Sequence, residues 1–140
     1  MTKAVFFDMN ETLLNLSSLQ DQFEKHFEDK YVLKYWFTKL LHTSTIMGSM
    51  GEYRNFGKLA DKALEDIFYE NSKPLTSDIK SEILGEFRKL PAYEDVRPAL
   101  NMLRKENIRV IAVSNSSLEM IREQLTNAGI IDLFNAYYSV

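Results

Sequence analysis

Two short apolar runs constrain the fold of this chain more than any other feature. Residues 4–7 (AVFF) and 108–113 (IRVIAV) are almost entirely apolar, and polar residues follow each of them directly. An apolar run of this length is typical of a parallel strand that is buried on both faces. We therefore expect two such strands, about a hundred residues apart, and a third, weaker strand at 136–140.

The sequence between the first two runs has the periodicity of helices rather than of strands. A Ser18–Asp21 pair resembles a capping box that opens the first helix. The other predicted helices cover residues 32–47, 56–68, 77–89, 96–106 and 118–127. Pro91 marks a boundary, because helices tend to stop before proline, and Gly129 is expected to end the last helix in the left-handed conformation.

Strands that alternate with helices after Pro91 indicate an α/β fold with a parallel sheet. We predict a core formed by residues 1–14 and 91–140, interrupted by an all-helical insertion at 15–90. The 140 residues are 45% apolar, which is enough for a packed core.

Composition excludes several classes of function. The chain has no cysteine, which rules out disulfides, a thiol nucleophile and a thiolate zinc site. The net charge is −3 and no basic stripe is visible, so we expect no nucleic-acid partner. No apolar run approaches the roughly 20 residues of a membrane span, and the start of the chain does not resemble a secretory signal. We therefore expect a cytoplasmic protein without membrane contact.

The polar residues that could carry chemistry follow the two main strands. Residues 8–12 (DMNET) leave the first strand and residues 114–117 (SNSS) leave the second. Ligands of open parallel sheets bind beyond the carboxyl ends of the strands, so neighbouring strands would bring both clusters to one crevice. There Asp8 could be a nucleophile, while the Asn10 turn amides and the Thr12 and Ser114 hydroxyls hold an anionic group. The alternative is structural: Asp8 caps a turn, and a serine of the second cluster caps the next helix.

Both clusters resemble motifs of the haloacid dehalogenase (HAD) superfamily. VFFDMNETLL is similar to its first motif, VIAVSN to its second, and the helical insertion to the cap domain between them. EYRNFGKLADKAL and the stretch from LPAYEDV to IIDLF are most similar to the 2-haloacid dehalogenase branch. The resemblance covers essentially all 140 residues and implies a HAD-like Rossmannoid core with a helical cap.

The resemblance also implies roles for individual residues. Asp8 matches the nucleophile that forms an ester with the substrate, and Thr12 matches the residue that fixes its loop. Ser114 matches the hydroxyl that binds the substrate's carboxylate or phosphate. Asn115 matches a residue near the leaving group, and Met9 is assigned to substrate binding beside the nucleophile.

Two aromatic residues of the insertion have two interpretations. Tyr53 and Phe56 fall where the dehalogenase branch presents cap residues towards its pocket, and the alternative is that they are ordinary core aromatics. Phe37 occupies the position at which that branch has a halide-binding arginine, and a phenyl ring cannot bind an anion as a guanidinium does.

Asn10 separates the possible activities. Phosphatases of the family have a second aspartate there as general acid/base, and an amide cannot exchange a proton near neutral pH. We therefore expect a hydrolase that acts on a small anionic substrate in the manner of the dehalogenases, without a cofactor. The alternatives are a phosphatase with Mg²⁺ at Asp8 and Asn10, and a non-catalytic binding protein.

The resemblance implies further motifs, a lysine and then an acidic loop, after the third strand. The sequence ends on that strand, so we expect a piece of a longer enzyme, with a naturally short protein as the alternative. The sheet would be incomplete beside the first strand, and such an open edge could pair in a homodimer or a swapped oligomer.

Overall fold

The computed structural model describes all 140 residues. The chain divides into two compact units, unit 1 (Met1–Ser18 and Arg88–Val140) and unit 2 (Leu19–Phe87). The strands are β1 (Ala4–Phe7), β2 (Arg109–Ser114) and β3 (Ala136–Ser139). The α-helices are α1 (Gln20–Glu24), α2 (Val32–Ser49), α3 (Phe56–Glu70), α4 (Ser77–Phe87), α5 (Val96–Lys105) and α6 (Leu118–Asn127). Identification of the insertion as a cap stays a prediction.

Unit 1 contains a parallel three-stranded sheet in the order β1-β2-β3. Phe7 pairs with Ala112 and Ser114 pairs with Ser139, so all three carboxyl ends lie at one edge of the sheet. Helix α5 packs against β2, and α6 packs against β3. The predicted α/β class with parallel strands is confirmed.

β1 is only partly buried in the described chain, as the open edge expected beside the first strand implies. Phe6 is 64% exposed, whereas Val110 and Ala112 of β2 are fully buried. Within the described chain β1 pairs only with β2 and therefore lies at an edge, whereas β2 has a strand on each side. An apolar run thus predicts the strand correctly, but the position of the strand in the sheet decides how much of it is covered.

Unit 2 is built around a cluster of aromatic side chains. Trp36 is fully buried, with ring centroids 5.5 Å from Phe23 and 5.4 Å from Phe87. Its indole Nε1 donates a hydrogen bond to the Ala60 carbonyl at 3.2 Å, which satisfies the one polar atom that Trp36 brings into the core. Phe27 and Phe68 extend the cluster edge to face at 4.8 Å.

Three helix ends show how well local signals predicted the boundaries. The Ser18–Asp21 capping box is wrong: α1 begins only at Gln20 after a 3-10 turn, and the Ser18 hydroxyl donates to the Asn15 carbonyl instead. Helix α2 continues through Gly48 to Ser49, beyond its predicted end at residue 47. The left-handed conformation of Gly129 (φ +71°) is confirmed. No helix of the structure has the length and apolar character needed to cross a membrane.

Candidate active site

Asp8 lies directly after β1 and is exposed at the carboxyl edge of the sheet. The Thr12 hydroxyl donates a hydrogen bond to Asp8 Oδ2 at 3.0 Å. This bond orients the carboxylate and leaves its second oxygen, Oδ1, for a reactant. The spacing of four residues between Asp8 and Thr12 thus corresponds to a direct contact.

The loop after Asp8 is wound around one backbone carbonyl. The Met9 oxygen accepts hydrogen bonds from the backbone N–H groups of Thr12 (3.2 Å), Leu13 (2.8 Å) and Leu14 (3.0 Å). Glu11 makes this tight path possible with a φ of +63°, a conformation that costs a non-glycine residue on the order of 1 kcal/mol or more. Met9 is fully buried, and its predicted contact with substrate stays a prediction.

Glu11 also connects the loop to a distant part of unit 1, a contact that no local sequence pattern predicts. Its Oε1 accepts hydrogen bonds from the Leu16 backbone N–H at 2.7 Å and from the Tyr93 hydroxyl at 2.9 Å. Backbone pairing supports the same connection, since Tyr93 N–H donates to the Leu13 carbonyl at 3.0 Å. Burial, followed by the hydrogen bond to the Glu11 carboxylate, raises the pKa of Tyr93 above its usual 10.0.

The second polar cluster follows β2. The Ser114 hydroxyl oxygen is buried and accepts a hydrogen bond from the Ser116 backbone N–H at 3.2 Å. Asn115 is half-buried beside it. Ser117 caps α6, because its side chain accepts a hydrogen bond from the Met120 backbone N–H at 3.2 Å. The capping alternative therefore holds for Ser117 and leaves Ser114 for another role.

The sheet brings the two clusters to the same edge. Phe7, the last residue of β1, pairs with Ala112 of β2. Asp8 therefore follows β1 at the edge of the sheet where β2 ends at Ser114. The amino end of α6, which carries a partial positive charge, begins within four residues of Ser114. A further link is a hydrogen bond at 3.3 Å from Gln124 Nε2 of α6 to Asn10 Oδ1. This edge therefore combines an oriented carboxylate with donors suited to an anion.

The predicted residues of the insertion are described within unit 2 alone. Tyr53 is 61% exposed, and Phe56 is buried in the core of the unit at the start of α3. Phe37 is also buried. A role for Tyr53 and Phe56 in a substrate pocket stays a prediction.

The alternative prediction places Mg²⁺ at Asp8 and Asn10, which would supply oxygen ligands from their side chains. The Asn10 oxygen already accepts a hydrogen bond from Gln124, so one carboxylate is the only uncommitted ligand of the pair. Mg²⁺ requires a nearly octahedral set of oxygen ligands. No group of three or more His, Cys, Asp or Glu side chains in the structure could hold a metal ion. These residues do not fit a magnesium site by themselves, and the magnesium prediction is not confirmed.

Comparisons with known proteins all match the chain to haloacid dehalogenases and similar hydrolases. The family model of haloacid dehalogenase-like hydrolases matches residues 2–140. Haloacetate dehalogenase H-2 of Moraxella sp. (strain B) is 30% identical, over 99% of this chain and 62% of that protein. (S)-2-haloacid dehalogenase 2 of Pseudomonas sp. (strain CBS-3) is 27% identical, over 95% of this chain and 59% of that protein.

A solved structure is similar over the whole chain. The L-2-haloacid dehalogenase of Xanthobacter autotrophicus with chloropropionic acid covalently bound matches with a TM-score of 0.89 and 26% identity. The match covers 100% of this chain and 57% of that one. The chain thus spans about 60% of the length of the relatives that it matches.

Proposed function

The chain belongs to the haloacid dehalogenase-like hydrolases, and on that premise we propose that its protein hydrolyses a small 2-haloacid through an ester on Asp8. The hydrogen bond from Thr12 to Asp8 Oδ2 carries the proposal, because it holds one carboxylate oxygen and leaves the other for attack. We likewise propose that unit 2 corresponds to the helical cap of that family.

The proposed reaction has two steps. In the first, Asp8 Oδ1 attacks the carbon that bears the halogen, a C–O bond forms, and the halide leaves with the electron pair of the C–X bond. In the second, water adds to the ester carbonyl carbon of Asp8 and the 2-hydroxy acid leaves. The carboxylate is regenerated, one proton is released, and one water oxygen stays in the Asp8 carboxylate.

Donors at the same edge support binding of the anionic substrate. The oxygen of the Ser114 hydroxyl accepts from the Ser116 N–H, and the hydroxyl can donate to the substrate carboxylate. The amino end of α6 favours negative charge nearby. We assign Asn115 and Met9 to the same binding function.

Two further observations favour a haloacid over a phosphate ester. Asn10 has no proton to exchange near neutral pH, so it cannot protonate an alkoxide leaving group, whereas a halide leaves without protonation. The relatives are named as haloacetate and 2-haloacid dehalogenases, and chloropropionic acid is covalently bound in the Xanthobacter enzyme. The dehalogenase route also requires no cofactor.

The test is a single turnover of the full-length protein in ¹⁸O-water. Enzyme in excess over (S)-2-chloropropionate is digested after reaction, and the peptide that contains Asp8 is weighed by mass spectrometry. We expect one ¹⁸O atom in the Asp8 carboxylate and unlabelled lactate, because the product oxygen comes from the enzyme. Asp8→Asn is the matched control and should neither turn over nor acquire label.

Two results would contradict the proposal. Label in lactate but not in Asp8 would mean direct attack by water. Absence of turnover on haloacids and phosphate esters, with Asp8→Asn indistinguishable from the unmodified protein, would favour the non-catalytic alternative.

A further inference from the structure

Asn10 and Gln124 form a buried polar pair close to the nucleophile. Asn10 lies two residues after Asp8 and is 9% exposed, and Gln124 lies on α6 and is fully buried. Gln124 Nε2 donates to Asn10 Oδ1 at 3.3 Å across 114 residues of sequence. Its neighbours on the helix, Ile121 and Leu125, are fully buried apolar residues. A glutamine at such a position is costly unless its amide is hydrogen-bonded.

The direction of this bond determines what Asn10 can offer to a ligand. A primary amide has one acceptor end and one donor end, which point apart. Because the acceptor end of Asn10 is occupied by Gln124, the donor end, with its two N–H groups, remains for another acceptor. If the Asn10 amide were reversed, its oxygen would instead be the end left for a ligand, and an anion there would be repelled.

We propose that Gln124 is a positioning residue, which holds the Asn10 amide so that Asn10 donates a hydrogen bond to the anionic ligand of the Asp8 site. The inference rests on the proposed function for the location of that ligand. It adds a residue of α6 that affects specificity. It also assigns Asn10 the role of a hydrogen-bond donor to the anion rather than that of a general acid. The site then favours ligands that present acceptors at position 10, such as a halide or a carboxylate oxygen.

A purely structural role for the pair makes a different prediction. If Asn10 only satisfies the buried Gln124 amide, loss of the bond lowers stability and affects catalysis no more than any other destabilising change. If Gln124 acts through Asn10, its effect on catalysis must disappear when Asn10 is absent. A double-mutant cycle separates these two cases.

The kinetic test uses Gln124→Met, Asn10→Ala and the double variant of the full-length protein, with (S)-2-chloropropionate as substrate. Gln124→Met keeps the length of the side chain and removes the donor. We expect kcat/KM to fall about tenfold in each single variant and no further in the double variant. Gln22→Met, the same exchange at a half-buried glutamine of unit 2, should leave kcat/KM unchanged. Losses that multiply in the double variant would overturn the proposal.

A second measurement needs neither turnover nor a variant at Gln124. The side-chain amide signals of ¹⁵N-asparagine-labelled protein are followed by NMR during titration with propionate and then with chloride, and Asn10→Ala identifies the Asn10 signal. We expect a saturable shift of the Asn10 Nδ2 protons. An unchanged Asn10 signal while the Asn115 signal responds would overturn the proposal.

The two proposals fail differently. Absence of ¹⁸O in Asp8 together with an intact Asn10 shift would refute the ester mechanism and leave the positioning role standing. Label in Asp8 without an Asn10 shift would do the reverse.

Discussion

The polar loop of unit 1 and the aromatic cluster of unit 2 are held together by different forces. The polar loop (residues 8–16) is held by hydrogen bonds, among them those of the Met9 carbonyl and the Glu11 carboxylate. The aromatic cluster (Phe23, Phe27, Trp36, Phe68 and Phe87) is held by packing, with a single side-chain hydrogen bond at Trp36.

Because of this difference, we expect the loop to contribute mainly to activity and the cluster mainly to stability. The loop contains an exposed carboxylate and a residue with positive φ, two features that lower stability or add nothing to it. The cluster contains large side chains with almost no contact with water, each of which contributes roughly 1.5–3 kcal/mol by burial. We therefore expect substitutions in the loop to change activity and substitutions in the cluster to change the free energy of unfolding.

Asp8→Asn should have the largest effect on activity. We expect kcat to fall about 10⁴-fold, because the nucleophile is lost, while the free energy of unfolding changes by about 0.5 kcal/mol or less at this exposed position. Steady-state kinetics with (S)-2-chloropropionate and urea unfolding measure the two quantities. A strong loss of stability would remove the proposed division between the two regions.

Trp36→Ala tests the opposite side of the comparison. The change leaves a cavity and removes the hydrogen bond to the Ala60 carbonyl, so we expect the free energy of unfolding to fall by about 3–5 kcal/mol. Urea unfolding gives the value, followed by tryptophan fluorescence where Trp36 is present and by circular dichroism in Trp36→Ala. Tyr69→Ala, at an aromatic residue that is 86% exposed, is the control and should cost about 0.5 kcal/mol or less. Equal losses in both variants would contradict the model of the cluster.

Ser114→Ala should have an intermediate effect on activity alone. Loss of one hydrogen-bond donor to an anionic substrate costs about 1.5–2 kcal/mol of transition-state binding, so we expect kcat/KM to fall about 10–30-fold. Ser139→Ala removes a hydroxyl from the neighbouring strand, where it donates to the Ser116 carbonyl, and should leave kcat/KM unchanged. If both variants lose the same activity, the Ser114 hydroxyl has no special role in binding.

Tyr93→Phe should have the smallest effect and sharpens the comparison within unit 1. Loss of the hydrogen bond to Glu11 should lower the free energy of unfolding by about 1 kcal/mol at neutral pH. The folded protein holds the pKa of Tyr93 above 10.0, so the unfolded chain releases this proton first as the pH rises. The stabilisation is therefore complete below pH 10 and is lost as the pH rises through the pKa of the folded state.

The measurement is urea unfolding at pH 7, 9 and 10.5. The difference in stability between the unmodified protein and Tyr93→Phe should shrink at the highest pH. A difference that stays constant would show that the tyrosine hydroxyl does not titrate in this range.

Local patterns predicted the parts of the site that lie close together in sequence. Asp8 and Thr12 are four residues apart in one loop, and their hydrogen bond follows from that spacing. The apolar runs predicted the strands, and the polar residues after them lie at one edge of the sheet, as expected. The capping role of Ser117 was also among the predicted alternatives.

The contacts that were missed join residues far apart in sequence. Tyr93 reaches Glu11 across 82 residues and Gln124 reaches Asn10 across 114, and no local pattern distinguishes either residue from a surface side chain. The Ser18–Asp21 capping box failed because a 3-10 turn displaced the start of the helix.

The sequence by itself determined the α/β class, the helical insertion and the identity of the nucleophile candidate, because periodicity and the order of motifs are written along the chain. Only the tertiary structure decided that Glu11 adopts a positive φ and that the Asn10 oxygen accepts a hydrogen bond from Gln124. These properties depend on the distant partners of the two side chains. Such pairings are settled when the whole of unit 1 packs, since a strained backbone or a buried amide is tolerated only where neighbouring elements compensate for its cost.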